Sequence, residues 1–261
     1  MPDGLTLSGD ADRFTLVRRA YFDLIGLPPT TEQMQRWLDE PGDDWYERLL
    51  TELLDSPHYG ERWGRHWLDI AGYADSEGYT VADTVRPWAW KYRDWVIQAI
   101  NDDMPFDQFT IEQLAGDLLP DPTPQQMLAT AFHRQTLTNT EGGTDKEQWR
   151  VEAVFDRVET IGTAWLGLTV GCARCHTHKY DRITQREYYQ LFAFLNNGDE
   201  VDTTIASSEE AMIEYREKKA AFDAELATLR APLKAARSNA MKGFDDWALA
   251  ERQRVLDADA R

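Results

Sequence analysis

Two cysteines and a histidine offer the clearest chemistry in this chain of 261 residues. Cys172 and Cys175 are its only cysteines; two residues separate them, and His176 follows directly. Cys-x-x-Cys-His is typical of covalent c-type haem attachment, in which each thiol adds to one vinyl group and the histidine becomes the proximal iron ligand. The spacing therefore predicts a haem c cofactor held by Cys172, Cys175 and His176, with His176 as a metal ligand.

Three other interpretations of these residues stay open. Cys172 and Cys175 could form a tight disulfide beside an incidental histidine, or remain free thiols beside a core histidine. Alternatively, zinc could take ligands from Cys172, Cys175, His176 or His178 and from a histidine elsewhere. Zinc is thus the alternative metal.

The remaining histidines offer candidates for the distal side of the iron. His66 lies in a stretch whose aromatic residues recur at helical spacing, so we expect it on a buried aromatic face. There it would be either a hydrogen-bonded core residue or the sixth iron ligand. His133 is expected off the apolar face of its own helix, which makes it a weaker candidate.

His178 lies two residues beyond the proximal position, too close to reach the opposite face of the same iron. With Asp181 it could orient His176 or hold a second metal, and it could also bind a haem propionate. A role in stabilising the loop is equally compatible with the sequence.

Acidic residues in two polar loops are candidate catalytic groups. Asp75 and Glu77 lie in the loop 74–79, and Glu141 lies in the glycine-containing loop 138–144. Carboxylates of this kind serve as general acids, bases or cation ligands. Solvated turns with a helix cap are the plainer interpretation.

Composition narrows the range of partners. The chain has 28 Lys and Arg against 46 Asp and Glu, a net charge of -18, which argues against a nucleic-acid partner. The longest uncharged run, 160–173, has 14 residues, and a membrane span needs about 18 or more. The first residues lack the basic and apolar regions of a signal peptide.

Hydrophobic periodicity predicts an all-α fold, a multi-helix orthogonal bundle. A helix over 145–170 is expected to lead directly into the cysteine motif, and Thr184 is expected to begin the next helix. Over 207–237 the composition changes to Ala, Glu, Lys and Leu, with Gly243 as an interruption, which predicts a helical hairpin or coiled-coil arm. We therefore expect a helical cytochrome c-like domain over 1–200 and an arm over 201–261 that leads to a missing C-terminal domain.

Several segments together resemble a known family, the planctomycete-type cytochrome c-like domain of unknown function, which occurs in large secreted multidomain proteins. The resemblance covers roughly residues 12–197. It implies companion domains in the full-length protein and a periplasmic or extracellular location, where c-type haem is attached. The matching segments are Tyr59–Asp69, Arg93–Val96, Met104–Asp107, Glu112–Asp117, Thr138–Thr144 and Gly162–Lys179.

Two functions from different classes follow, with a scaffold module as a third. The first is a redox or electron-transfer domain of a secreted protein, with haem at Cys172–His176 and a redox partner. The second is an extracellular glycan-active enzyme, in which the Cys/His cluster is a disulfide or metal site. It predicts that Asp75, Glu77 and Glu141 converge in one pocket near His66 or His178.

Overall fold

The computed structural model describes residues 9–77, 84–136, 138–139, 143–198, 200 and 209–259. These residues form ten α-helices and no β-strand, which confirms the all-α class; the orthogonal arrangement of the helices stays a prediction. The helices are α1 (Arg13–Leu24), α2 (Thr31–Asp39), α3 (Trp45–Leu54), α4 (Pro57–Ala71), α5 (Ala89–Asn101), α6 (Phe106–Ala115), α7 (Pro124–Ala129), α8 (Lys146–Ile161), α9 (Gln185–Leu195) and α10 (Glu209–Asp259).

The chain divides into two units, Met1–Val201 and Asp202–Arg261. In the first unit, α1, α2 and α3 enclose a small core around Val17, Tyr21 and Leu49. A capping box at Thr30 begins α2, since the Thr30 hydroxyl accepts the N–H of Gln33 while the Gln33 side chain accepts the N–H of Thr30. This part supplies stability and carries none of the candidate site residues.

The helix α4 packs against α5 through small residues. The predicted buried aromatic face is wrong for Trp63, His66 and Ile70, which are exposed, while Trp67 packs against the main core. The buried positions of α4 are Gly60, Gly64, Leu68 and Ala71. A Cβ built on Gly60 would lie 2.4 Å from the carbonyl oxygen of Ile97, so the two backbones approach to a distance that only glycine permits. This close approach turns the opposite face of α4 towards solvent.

A buried polar network connects α4, α5 and α6 inside the main core. The side-chain oxygen of Gln113 accepts hydrogen bonds from Trp67 Nε1 at 2.8 Å and from the Tyr92 hydroxyl at 2.6 Å. The Gln113 amide donates to the carbonyl of Phe109 at 3.1 Å. Because every partner is satisfied, the network fixes the register of three helices without the cost of an unpaired buried group.

The predicted continuous helix over 145–170 is also wrong. The helix α8 ends at Ile161, one wider turn follows over Gly162–Leu166, and Gly167 takes a left-handed conformation with φ of 63°. The chain then doubles back, and Val170 packs against α8. The apolar spacing continues through this reversal because Leu168 and Val170 remain in contact with the core. Periodicity alone cannot distinguish such a reversal from a longer helix.

The second unit contains α10, a single helix of 51 residues. It passes through Gly243 without a break and includes Pro232, so the predicted hairpin is wrong. Alanine-rich sequence on both sides compensates for the weak helix propensity of glycine at one position. None of the helices in the described ranges combines the length and the apolar character that a membrane crossing needs.

Candidate functional site

The cysteine motif occupies one tight turn between α8 and α9. A short 3₁₀ helix runs over Val170–Arg174, and the backbone N–H groups of Cys175 and His176 both point to the carbonyl of Cys172 at 3.4 Å. The side chains of Cys172, Cys175 and His176 are all exposed, and the two thiols are free. The three reactive side chains of the motif therefore lie on the solvent side of a single turn.

The residues between and before the cysteines anchor this turn. Val170 and Ala173 are 3% and 0% exposed and belong to a core formed with Phe155 and Val158 of α8 and Tyr188 of α9. Their spacing of three matches one turn of a 3₁₀ helix, so both face the same side. Burial of one face thus exposes the thiols on the other.

Arg174 attaches the turn to both flanking helices. Its guanidinium lies 3.7 Å from the centroid of the Phe155 ring and forms two hydrogen bonds with the carboxylate of Glu152, at 3.0 and 2.6 Å. These hydrogen bonds lower the pKa of Glu152 from its usual value. From α9, Gln185 Nε2 and the Tyr189 hydroxyl each donate to the carbonyl of Arg174 at 3.1 Å.

These supporting residues are not evident from the sequence. Arg174 stands at a position that the Cys-x-x-Cys-His pattern does not specify, and its partner Glu152 is 22 positions away, a separation that carries no periodic signal. One local feature could have suggested them. Between the two cysteines a small residue, Ala173, is followed by a basic one, Arg174, so one could be buried while the other forms an ion pair.

His176 is held in one tautomer by its own backbone. Its Nδ1–H donates to the carbonyl oxygen of Thr177 at 2.8 Å, since a carbonyl can only accept. The Nε2 lone pair is therefore available to a metal, and a backbone carbonyl on the other ring nitrogen is a common partner of metal-bound histidines. Neither His178 nor Asp181 supplies this orientation.

His178 instead stabilises the loop that follows. Its side chain is 5% exposed, and its Nδ1 accepts the backbone N–H groups of Asp181 at 2.9 Å and Tyr180 at 3.3 Å. The Asp181 carboxylate lies 3.3 Å from the same nitrogen, but a nitrogen that accepts two N–H groups carries no proton for an ion pair. The loop-stabilising interpretation is the one that these contacts support.

The burial of His66 and His133 is opposite to the prediction: His66 is exposed, and His133 is largely buried. His66 is exposed on α4, with its ring 5.7 Å from that of Trp63, so the buried position expected from the sequence is wrong. The reason is the glycine face of α4, which takes the place of the aromatic face against α5. As sixth iron ligand, His66 stays a prediction without the burial that first suggested it.

His133 lies largely inside the main core, just after α7. Its Nε2 lies 3.1 Å from the carbonyl of Leu114, to which it donates, and its Nδ1 is buried without a hydrogen-bond partner. Burial lowers the pKa of the imidazole from its usual value of 6.5. A neutral histidine is thus built into the core, at a position that sequence analysis had ranked lower.

The acidic loop residues are only partly described. Asp75 is exposed and accepts a hydrogen bond of 2.6 Å from the Tyr73 hydroxyl, and burial with this bond raises the pKa of Tyr73 to about 12. Glu77 donates its backbone N–H to the carbonyl of Thr84 at 2.9 Å, beside an isolated antiparallel bridge. Glu141 lies outside the described residues, so the convergence of the three carboxylates stays a prediction.

Two depressions among the described residues lie away from Asp75, Glu77 and the cysteine motif. One is an open surface depression on α3 between Asp44 and Asp55, and the other is a cavity of about 10 Å³ next to Phe132 and Thr136. Within the described ranges, no three His, Cys, Asp or Glu side chains come together in a metal-binding group. A zinc site would therefore require the exposed turn to recruit further ligands.

Comparison with known proteins gives one match. A family model with the description PSCyt2: Protein of unknown function (DUF1549) matches residues 2–200. No curated protein matches the chain, and no solved structure does. The match includes the cysteine turn together with α8 and α9, the two helices that hold it.

Proposed function

The chain belongs to the PSCyt2 family of proteins of unknown function (DUF1549), and on this premise we propose that the turn Cys172–His176 attaches a c-type haem in a redox domain. The observation that carries the proposal is the arrangement of this turn, in which Cys172, Cys175 and His176 are exposed while Val170 and Ala173 are buried. The family name suggests a cytochrome c-like domain and is compatible with this assignment.

The thiols meet the first requirement of covalent attachment. Each thiol must be accessible to a vinyl group of the incoming haem. Cys172 and Cys175 are both exposed and form no disulfide. Their separation by one turn keeps both sulfurs on the same side, as two thioether bonds to one porphyrin require.

His176 meets the second requirement, an imidazole with a defined free nitrogen. Donation of Nδ1–H to Thr177 leaves Nε2 as the ligating atom. Arg174, Val170 and Ala173 keep the turn in place, so the cofactor would be mounted on a rigid support between two helices. The proposal concerns the proximal side of the iron, and a bound haem would supply one-electron redox chemistry there.

A location follows from the same proposal. Because c-type haem is attached outside the cytoplasm, the full-length protein would function in the periplasm or outside the cell, with a redox partner or companion domains. The net charge of -18 favours a partner with a basic surface.

The test is expression of the full chain, exported in a host with active c-type haem maturation. After denaturation the protein should keep a porphyrin absorption spectrum and show a mass increased by one haem. The double variant Cys172→Ala with Cys175→Ala should be colourless. His58→Ala, which changes an exposed histidine elsewhere, should still carry haem.

Colourless wild-type protein from such a host would overturn the proposal. Metal analysis of the same sample then separates the alternatives. One equivalent of zinc that disappears in the double cysteine variant would indicate a metal site, and a loss of two thiols without metal would indicate a disulfide.

A further inference from the structure

The long helix α10 carries an apolar seam that repeats every seven residues. Taking Met212 as the first core position a, with core position d three residues later, the seam continues for 38 residues to Ala250. At a rise of about 1.5 Å per residue it extends for about 57 Å. Only Lys219 and Gly243 interrupt it. Its apolar members are Met212, Tyr215, Phe222, Leu226, Leu229, Leu233, Ala236, Ala240, Trp247 and Ala250.

Most of the large side chains of this seam are exposed, while Met212 and Leu226 are half-buried. Phe222, Leu229, Leu233 and Trp247 are 61%, 67%, 70% and 59% exposed. A strict seven-residue repeat is the narrow pattern of a coiled-coil interface and not the broader apolar stripe of a helix that covers a globular core. The seam therefore matches the surface that another helix of the same period would cover.

The residues that flank the seam favour a second copy of the same helix in parallel orientation. In a parallel coiled coil, a g residue of one helix lies beside the next e residue of the other. This places Lys218 beside Asp223 of the second copy and Glu225 beside Arg230 of the second copy. Both pairs carry opposite charges, and symmetry repeats each of them.

One further feature agrees with two-stranded pairing. Lys219 occupies an a position, where a single lysine is tolerated in dimers because its stem packs while its amine reaches outward. In this helix the Lys219 amine extends to the carboxylate of Asp223 at 2.6 Å. Pro232 stands at a g position, outside the apolar seam. The one unfavourable pair, Asp246 with Glu251, lies in the later part of the seam, where small residues predominate.

Charge also allows two copies of this segment to approach. The range 209–259 contains nine Lys and Arg and eleven Asp and Glu, so it is almost neutral, although the whole chain has a net charge of -18. Most of the repulsion between two copies thus resides outside α10.

We propose that α10 pairs with α10 of a second copy of this chain in a parallel, in-register, two-stranded coiled coil over 212–250. The inference does not depend on haem binding. It assigns the arm a role in homodimerisation, through which two cysteine turns would be carried by one assembly.

The first experiment measures the mass of the full chain in solution by sedimentation equilibrium up to about 100 µM, since dimerisation follows mass action. The expected mass at the upper concentrations is twice the 30.1 kDa of the chain. Leu226→Glu with Leu229→Glu should weaken dimerisation by more than about 100-fold, because four carboxylates would enter the seam. Ala224→Glu with Ala231→Glu adds the same charge at outward f positions and should leave the mass unchanged.

The second experiment tests the parallel register by charge reversal. Glu225→Lys places like charges beside Arg230 of the other copy and should weaken the dimer about tenfold. Addition of Arg230→Glu should restore it, because the two positions are five apart in one helix and meet only across the dimer.

A chain that stays monomeric, forms a larger oligomer, or dimerises equally well with both seam leucines replaced would overturn the proposal. Failure of the second substitution to rescue the first would overturn the parallel register. Near-ultraviolet circular dichroism checks that the first unit stays folded in every variant.

Discussion

The close contact between α4 and α5 gives a prediction in which the same substitution, glycine to alanine, lowers the stability strongly at one position of α4 and hardly at another. Both Gly60 and Gly64 face α5, and replacement by alanine favours the helix by about 1 kcal/mol at either position. The difference lies in what the new methyl group would meet.

At Gly60 the obstacle is backbone. The added Cβ would lie 2.4 Å from the carbonyl oxygen of Ile97 and 2.6 Å from the side-chain oxygen of Asn101. That same Asn101 oxygen accepts the N–H of Gly60 at 2.7 Å, so a shift of the side chain loses this hydrogen bond. Overpacking costs about 1 to 3 kcal/mol and the lost bond about 1 kcal/mol. Against the gain in helix propensity, we expect Gly60→Ala to lower the free energy of unfolding by about 2 kcal/mol.

At Gly64 the nearest atom belongs to a side chain. The new Cβ would lie 3.2 Å from Ile97 Cγ1, and the next neighbour, Val96 Cγ1, is 3.6 Å away. A small rotation of Ile97 relieves this contact, so the cost is comparable with the gain in propensity. Gly64→Ala should therefore change the free energy of unfolding by less than about 0.5 kcal/mol.

Thermal unfolding followed by near-ultraviolet circular dichroism measures the difference, because the aromatic core around Trp95 dominates that signal while α10 contributes mainly in the far ultraviolet. With about 2–4 °C per kcal/mol for a unit of this size, Gly60→Ala should lower Tm by about 4–8 °C and Gly64→Ala by less than about 2 °C. Equal shifts for the two variants, or a Gly60→Ala protein as stable as wild type, would refute the close-packing argument.

Two further predictions concern the buried imidazole and the support of the cysteine turn. Burial lowers the pKa of His133, so near pH 6.5 the imidazole takes up a proton more readily in the unfolded chain than in the folded one. The free energy of unfolding should therefore fall as pH decreases below about 6.5. His133→Phe should reduce that slope in urea unfolding series, and an unchanged slope would contradict the assignment. Glu152→Gln removes the partner of Arg174 and should cost about 1 kcal/mol, with faster hydrogen exchange in the turn. The control Glu147→Gln breaks an exposed pair within α8 and should leave exchange in the turn unchanged; equal exchange in both variants would count against the anchoring role of Arg174.

Local signals predicted much of the helical architecture. Thr184 begins α9, as its sequence context predicts, and both Thr184 and Thr30 form capping boxes in the structure. Proline and glycine after α1, α2 and α6 mark where those helices end. These features depend on neighbours within about four positions, which is why a single sequence suffices to find them.

Predictions about burial failed where the decisive contact was distant in sequence. The aromatic residues of α4 suggested the buried side, yet two glycines that fit against Ile97 determine which side faces the core. After α8, the chain turns back and places Leu168 and Val170 against the same core. Their spacing in the sequence therefore resembles the continuation of a helix. In α10 a local signal predicted a break that does not occur. Gly243 suggests an interruption, yet the helix continues through it.

By itself, the sequence identified the candidate site residues of this protein, since Cys172, Cys175 and His176 lie within five positions and their spacing is typical of c-type haem attachment. It also determined the all-α class and the heptad period of the arm. Only the tertiary structure decided which side of the turn is free. Val170 and Ala173 are buried against α8 and α9, Arg174 is bound to Glu152, and the thiols point outward as a consequence. The physical reason is that residue types close together in the sequence define the chemistry of a site. Its exposure depends on which side chains, distant in the sequence, cover the opposite face of the turn.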